Sequence, residues 1–116
     1  NQVLDAIEKG ARIVTGDKRP EHLNGYFHAP TVLTEVNHSM KAMSDETFGP
    51  LMPIMAFDAE EEAIALANDS IYGLTATVWT RNRKRAERVA RQIQSGTVAV
   101  NDHAYTYGLT ETPWQG

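Results

Sequence analysis

The 116-residue sequence predicts an α/β fold with an open, mainly parallel sheet and βαβ crossovers. Two observations support this prediction. Apolar strand patterns at residues 51–57, 75–80 and 97–101 alternate with helix patterns at 58–67 and 83–94. The pattern at 51–57 is also nearly continuous in apolar residues, which is typical of a parallel strand covered on both faces.

The first ten residues predict the end of a helix. Val3, Leu4 and Ile7 share one helical face, and Gly10 suits the position that follows a helix. At the other end, the sequence stops in a turn-like segment at 112–116. We therefore expect a piece of a longer protein, with a processed or tag-cleaved whole domain as the alternative.

Short elements are predicted between this helix and residue 57. Residues 11–15 predict a strand that ends at Gly16. After it come a polar loop at 17–25, strand-like residues at 26–27 and 31–36, and one helical turn at 39–43. Gly49 and Pro50 then change the direction of the chain, and Pro53 places an edge or a bulge near the start of the strand at 51–57.

The two helix patterns of the second half have clear apolar faces. Asp58 is the predicted N-cap of the first helix, and the glutamates at 60–62 suit its first turn. A turn at 68–73 ends this helix, and Gly96 suits the C-cap of the second one. The faces consist of Ala63, Ile64 and Ala67 in the first helix and Ala86, Val89, Ala90 and Ile93 in the second.

The composition excludes several kinds of protein. Hydrophobic residues at 41% and charged residues at 22% are typical of one soluble globular domain. Without cysteine, the chain itself has no disulfide, thiolate metal site or thiol nucleophile. It has neither a signal peptide nor the roughly 20 apolar residues that a membrane helix needs, so we expect no membrane contact and a cytoplasmic location. The net charge of −4 argues against a nucleic-acid partner.

Charged and metal-binding residue types give weaker signals. The four histidines lack ligand spacing, so no metal site is predicted. Six basic residues cluster in and just before the second helix pattern: Arg81, Arg83, Lys84, Arg85, Arg88 and Arg91. They suit either a phosphate-binding or nucleic-acid-binding face or the solvated side of an amphipathic helix, and the apolar stripe on the same helix favours the second interpretation.

The segment at 45–50 is the best candidate for a ligand contact. It joins a carboxylate, an aromatic ring and a Gly-Pro turn directly before an apolar strand pattern, and loops at strand ends often carry binding residues. Glu46 can accept hydrogen bonds from two adjacent hydroxyls, as in a ribose, and Phe48 can lie against a sugar or a flat ring. A surface glutamate and a core phenylalanine explain the same pattern without a ligand.

Five motifs occur in an order that identifies a family. Together they resemble the later part of the catalytic domain of the aldehyde dehydrogenase superfamily, and the resemblance covers essentially the whole chain. The motifs are Gly25-Tyr-Phe-x-x-Pro-Thr31, Glu46-x-Phe48-Gly49-Pro50 with Leu-Met-Pro-Ile after it, Asn68-Asp-Ser-Ile-Tyr-Gly-Leu74, Gly96-Thr-Val-Ala-Val-Asn101 and Pro113-Trp-Gln-Gly116.

The resemblance implies both a fold and an activity. Residues 1–116 would form a fragment of a three-layer catalytic domain, incomplete at both ends, with the dinucleotide-binding domain and the oligomerisation segment absent. The whole protein would oxidise an aldehyde to a carboxylic acid with NAD or NADP through a cysteine thioester, as a homodimer or homotetramer. Because the cysteine and the general base lie upstream in the family, we expect the chain alone to be inactive. With the covering parts missing, we also expect it to self-associate.

The resemblance also implies site residues. Carried onto this sequence, Glu46 and Phe48 contact the nicotinamide riboside. The family's loop after the Gly-Thr-Val strand approaches the aldehyde tunnel, which makes Tyr105, Tyr107 and Trp114 the candidate substrate contacts. No catalytic residue falls within the chain. Gln115 departs from the family, which usually has a glycine there.

Two further interpretations remain open at this point. The chain could be a standalone α/β binding module that uses its arginine-rich helix. It could also belong to a semialdehyde dehydrogenase domain of a bifunctional protein, which differs in substrate or in phosphorylating chemistry and not in fold.

Overall fold

The computed structural model describes residues 1–18, 21–104, 108 and 115. The chain divides into two compact units, Asn1–Ala56 and Phe57–Gly116. Each unit combines helices with a small open sheet that contains a parallel pair of strands. This arrangement confirms the predicted α/β class.

The first unit contains, in chain order, α1 (Gln2–Glu8), β1 (Arg12–Thr15), β2 (Thr31–Thr34), α2 (Lys41–Ser44) and β3 (Leu51–Pro53). The central strand is β2, which pairs antiparallel with β1 and parallel with β3. The two helices pack against each other, and α2 also contacts β3. Among the described residues β3 lies at the edge of this sheet, as predicted from Pro53, but Pro53 is the last residue of the strand and does not lie near its start.

The core of the first unit surrounds β2. Leu33 is fully buried at the middle of this strand, and the buried apolar cluster consists of Ala6, Ala11, Leu33, Val36, Met40 and Ala42. Thr31 is a buried polar side chain, and its hydroxyl donates to the Ala29 carbonyl oxygen and accepts from the Asp17 N–H, each at 2.8 Å. These bonds offset the cost of burying the hydroxyl group.

Three predictions for the first unit were wrong in detail. Helix α1 buries Val3 and Ala6, whereas Leu4 is 55% exposed. The face that packs on the core therefore contains Ala6 in place of Leu4. Tyr26 and Phe27 lie in irregular backbone instead of a strand. The strand predicted at 51–57 ends at Pro53, and its two faces are not both covered within the described residues, since Met52 is 61% exposed.

The second unit contains α3 (Glu60–Asn68), β4 (Thr75–Val78), α4 (Arg83–Ala90) and β5 (Thr97–Val100). Strands β4 and β5 pair in parallel, from Thr75 opposite Thr97 to Val78 opposite Val100. Helix α4 connects them and packs on both strands. The predicted βαβ unit is therefore present, although β5 is only half-buried.

The ends of the two helices differ from the predictions. The N-cap of α3 is Ala59 and not Asp58, and no side chain caps the helix from this position. The hydrogen bond runs the other way, because the Glu62 carboxylate in the helix accepts from the Asp58 N–H at 2.8 Å. Helix α4 ends at Ala90 and not at 94. The Asn68 side chain donates to the Gln92 carbonyl oxygen and accepts from the Gln94 N–H, both at 2.8 Å. These bonds replace the helical ones, and Gly96 consequently leads into β5 instead of capping α4.

Glu60 connects the first turn of α3 to the arginines of α4. Its two carboxylate oxygens accept from Arg88 Nε and Nη2 at 2.8 and 2.9 Å, and Arg85 Nε lies 3.2 Å away. The Arg88 hydrogen bond lowers the pKa of Glu60 and raises that of Arg88. Two members of the basic cluster thus bind a carboxylate of their own chain, which favours the interpretation of the cluster as a solvated helix side.

Candidate functional site

The segment with the predicted ligand residues forms the loop 45–50 between α2 and β3. It lies at the amino end of β3, whereas ligands of open α/β sheets usually bind at the carboxyl ends of strands. The Pro50 carbonyl oxygen accepts from the Thr31 N–H at 2.8 Å, and this bond continues the pairing of β2 with β3. The last residue of the loop is therefore held by the sheet.

The two predicted ligand side chains of this loop project into solvent. Phe48 is 93% exposed, and Glu46 is exposed as well. Within the described residues, no group hydrogen-bonds to the Glu46 carboxylate. Space is also open beside Gly49, where an added Cβ would meet nothing within 4 Å. The described part of the chain therefore leaves the carboxylate, the ring and the backbone of this loop uncovered.

The backbone of the loop, in contrast, is held by Gln2 at the start of α1. Gln2 Nε2 donates to the carbonyl oxygens of Asp45 and Glu46 at 3.4 and 3.3 Å. The Thr47 hydroxyl donates to Gln2 Oε1 at 3.1 Å. Sequence patterns gave no signal for these contacts, because they join residues 43 to 45 positions apart.

Asp5 holds the start of α2 in a similar way. Its Oδ2 accepts from the Lys41 N–H at 2.8 Å, and its Oδ1 lies 2.8 Å from Lys9 Nζ. Lys9 Nζ also donates to the Ser39 carbonyl oxygen at 2.6 Å. These hydrogen bonds, first that from Lys9 and then that from Lys41, lower the pKa of Asp5. Both ends of α2 are thus bound by side chains of α1.

The second predicted region follows β5. Asn101 adopts a left-handed backbone with φ of 55°, and its side chain accepts from the Thr80 N–H at 2.8 Å and donates to the Thr80 carbonyl oxygen at 2.9 Å. The Thr77 hydroxyl donates to the Asp102 carbonyl oxygen at 3.3 Å. These bonds hold the carboxyl ends of β4 and β5 together. The candidate substrate contacts Tyr105, Tyr107 and Trp114 lie outside the described residues.

Sequence reasoning missed a cavity of about 530 Å³ in the second unit. It lies among α3, β4 and α4, and its apolar lining includes Phe57, Ile64, Val78, Val89 and Ile93. Three charged residues, Asp58, Glu60 and Arg85, also line the cavity. The apolar faces predicted for the two helices were the available signal, but no cavity was predicted from them.

The described part of the chain holds neither a metal-binding cluster nor a helix that could span a membrane. No group of three or more histidine, aspartate or glutamate side chains there could hold a metal ion. None of its helices combines the length and the apolar composition that crossing a membrane requires.

Comparison with known proteins decides the family. The aldehyde dehydrogenase family matches over residues 1–116, which is the entire sequence. The chain belongs to the aldehyde dehydrogenase family. The resemblance noted from the five motifs is thereby confirmed.

Relatives and solved structures of aldehyde dehydrogenases agree with this assignment. The chain is 44% identical to betaine aldehyde dehydrogenase of Bacillus subtilis over 95% of its own length and 23% of that protein's. It is 42% identical to the peroxisomal aminoaldehyde dehydrogenase 1 of Pisum sativum over 100% of this chain and 23% of that one. The crystal structure of a Mycobacterium tuberculosis aldehyde dehydrogenase with NAD⁺ matches with a TM-score of 0.83 and 45% identity, covering 88% of this chain and 21% of that one. This chain therefore spans less than a quarter of these aldehyde dehydrogenases.

Proposed function

We propose that this chain is part of an NAD(P)-dependent aldehyde dehydrogenase, called the parent enzyme below. The parent enzyme oxidises an aldehyde to a carboxylic acid through a thioester on a cysteine outside residues 1–116. Family membership over the whole sequence supports the reaction class. Residues 1–116 alone contain no cysteine, so the isolated chain is inactive in this proposal.

The observation that carries the proposal is the pair Glu46 and Phe48 on the 45–50 loop. The Glu46 carboxylate is exposed, and no described group hydrogen-bonds to it, so both of its oxygens can accept from the two hydroxyls of a ribose. Phe48 presents a ring that is 93% exposed two residues away. These free groups fit a nicotinamide riboside, in which a diol and a flat ring are neighbours.

The two residues orient the cofactor in this proposal. When bound, the dinucleotide supplies the acceptor for the hydride of the substrate. Glu46 fixes the ribose through charge-assisted hydrogen bonds, and Phe48 packs against the riboside so that the nicotinamide keeps one orientation. Neither residue exchanges a proton with the substrate, and Glu46 is not the general base.

Other parts of the proposal follow from the family. The substrate is an aldehyde, and the cofactor is NAD or NADP, because relatives with either NAD⁺ or NADP⁺ in their names match the chain. We place the parent enzyme in the cytoplasm as a homodimer or homotetramer, with residues 1–116 as a fragment of its catalytic domain. Tyr105, Tyr107 and Trp114 are its proposed substrate contacts. A nucleic-acid-binding role has less support, since Arg85 and Arg88 already bind Glu60.

Glu46→Gln in the parent enzyme tests this proposal. The change weakens the hold on the ribose, and the rate of NADH formation in a single turnover falls roughly tenfold to a hundredfold. Glu8→Gln is the matched control, because Glu8 is an exposed carboxylate on α1. Unchanged single-turnover rates in Glu46→Gln would remove Glu46 from the cofactor site.

A further inference from the structure

The amide of Gln2 makes contacts that the cofactor role of the 45–50 loop leaves unexplained. We propose that Gln2 is a positioning residue, which sets the position of Glu46 and Phe48 by holding the backbone between α2 and β3. This inference rests on the proposed function of the loop. Gln2 itself touches neither the cofactor nor the substrate.

Both the NH₂ group and the oxygen of the Gln2 side chain form hydrogen bonds with the loop. The NH₂ group is shared between two successive carbonyl oxygens, those of Asp45 and Glu46. The side-chain oxygen accepts from the Thr47 hydroxyl at 3.1 Å. One half-buried side chain therefore contacts three consecutive residues of the loop.

These contacts leave the proposed ligand groups free. Gln2 binds the backbone of Glu46, while no described group hydrogen-bonds to the Glu46 carboxylate. It binds the residue before Phe48, while the Phe48 ring stays 93% exposed. Gln2 thus holds the backbone of the loop and leaves its ligand side chains free, which is the arrangement that a binding loop needs to keep those side chains pre-oriented.

Helix α1 can act as a support because it is itself well anchored. Asn1 caps it by accepting from the Val3 N–H at 3.1 Å, and Val3 and Ala6 are buried. Asp5 is three residues after Gln2, hence on the same helical face, and binds the Lys41 N–H. A shift of the loop relative to α1 would break the Gln2 contacts without changing this anchoring.

Variants at position 2 of the parent enzyme separate the polar contacts from side-chain size. Gln2→Met keeps the length of the side chain and removes all three hydrogen bonds. Gln2→Glu keeps an acceptor for Thr47 but places a carboxylate against two carbonyl oxygens. Both variants should raise the KM for the dinucleotide about tenfold and slow NADH formation in a single turnover, while the KM for the aldehyde stays the same. Leu4→Met, at an exposed position of the same helix, is the control.

A second readout requires no cofactor. Amide hydrogen exchange of the cofactor-free parent enzyme, followed by mass spectrometry, should become faster in peptides covering residues 45–50 in Gln2→Met and stay unchanged in Leu4→Met. Peptides covering β2 should keep their protection, because the core around Leu33 does not involve Gln2.

The outcomes distinguish this inference from the proposed function. If Glu46→Gln impairs the enzyme while Gln2→Met has wild-type exchange and a wild-type KM for the dinucleotide, the positioning role is overturned and the cofactor site stands. Faster exchange with unchanged dinucleotide KM would also overturn it, since Gln2 would then be a structural residue only. If Glu46→Gln has no effect, the proposed cofactor site fails, and the positioning role fails with it.

Discussion

The Asp5 carboxylate accepts a hydrogen bond from the Lys41 N–H at 2.8 Å across 36 positions of sequence. Lys41 is the first residue of α2, where N–H groups lack partners within the helix. The N-cap residue of α2, Met40, has no side-chain oxygen, and Asp5 of α1 supplies the missing acceptor. One helix thus caps another, at the start of the segment that leads to Glu46.

The first prediction concerns the pH dependence of this contact. Hydrogen bonds from Lys9 and Lys41 lower the pKa of Asp5 below its ordinary 3.8. The ionised form therefore stabilises the fold at every pH above 3.8, and this stabilisation is lost as the pH falls through the lower folded-state pKa. Asp5→Ala should lower the thermal midpoint of the parent enzyme at pH 7 and pH 5 by similar amounts.

The control for Asp5→Ala is Glu8→Ala on the exposed side of α1, which should leave the midpoint unchanged. Below pH 3.8 the difference between wild type and Asp5→Ala should shrink. A difference that grows as the pH is lowered from 7 to 4 would contradict the assignment of a lowered pKa to Asp5.

The second prediction concerns the two arginines that bind Glu60. Arg88 makes two hydrogen bonds to this carboxylate at 2.8 and 2.9 Å, whereas Arg85 makes one contact at 3.2 Å. Arg88→Met should therefore lower the thermal midpoint more than Arg85→Met, and Arg91→Met should have no effect. High salt should reduce the differences, because the side chains of Arg85 and Arg88 are exposed and Glu60 is only half-buried. Equal thermal midpoints for the Arg88 and Arg85 variants would show that the bidentate hydrogen bonding of Arg88 adds no stability.

Local patterns and distant contacts explain what the sequence could and could not predict. The strand predicted at 75–80 is present as β4 (Thr75–Val78), and the glutamate-rich first turn predicted for α3 is present as well, because both depend on neighbouring residues. The end of α4 depends on Asn68, which binds backbone groups 24 and 26 positions away, so periodicity alone extended the helix too far. Glu46 and Phe48 were selected by their motif, but their support by Gln2 required the fold.

The third prediction compares two glycines with left-handed backbone. Gly10 and Gly16 have φ of 98° and 89°. An added Cβ meets nothing within 4 Å at Gly10, whereas at Gly16 it collides with the Pro30 carbonyl oxygen and the backbone of Thr31. Gly10→Ala should cost about 1–2 kcal/mol for the backbone conformation alone, and Gly16→Ala should cost a further ~1–3 kcal/mol from overpacking.

The thermal midpoints of the two glycine variants of the parent enzyme, measured side by side, check this order. Gly10→Ala serves as the matched control, because it changes the same conformational preference without the collision. A Gly16→Ala variant as stable as Gly10→Ala would mean that β1 and the chain before β2 can separate at no cost.

The fourth prediction concerns residues 1–116 prepared alone. Large apolar side chains are exposed in both units, among them Val14 at 60%, Trp79 at 67% and Ile71 at 89%, and such surface favours association. The isolated chain should therefore elute as oligomers whose mass rises with concentration, and it should form no NADH from an aldehyde and NAD. A sharp monomer peak at high concentration would contradict the first expectation, and steady turnover would contradict the second.

The last prediction tests the ring of Phe48 in the parent enzyme. Because 93% of the side chain is exposed, Phe48→Ala removes almost no packing within the described chain and should leave the thermal midpoint unchanged. The variant loses an aromatic contact with the riboside, worth about 0.5–1.5 kcal/mol, so the Kd of the dinucleotide should rise roughly twofold to tenfold. Phe48→Tyr keeps the ring and should bind like the wild type. A lower midpoint with an unchanged Kd would mean that Phe48 packs against another part of the parent enzyme, as a core phenylalanine would. A raised Kd at constant midpoint would assign the ring to the cofactor, because the loss would then be confined to binding.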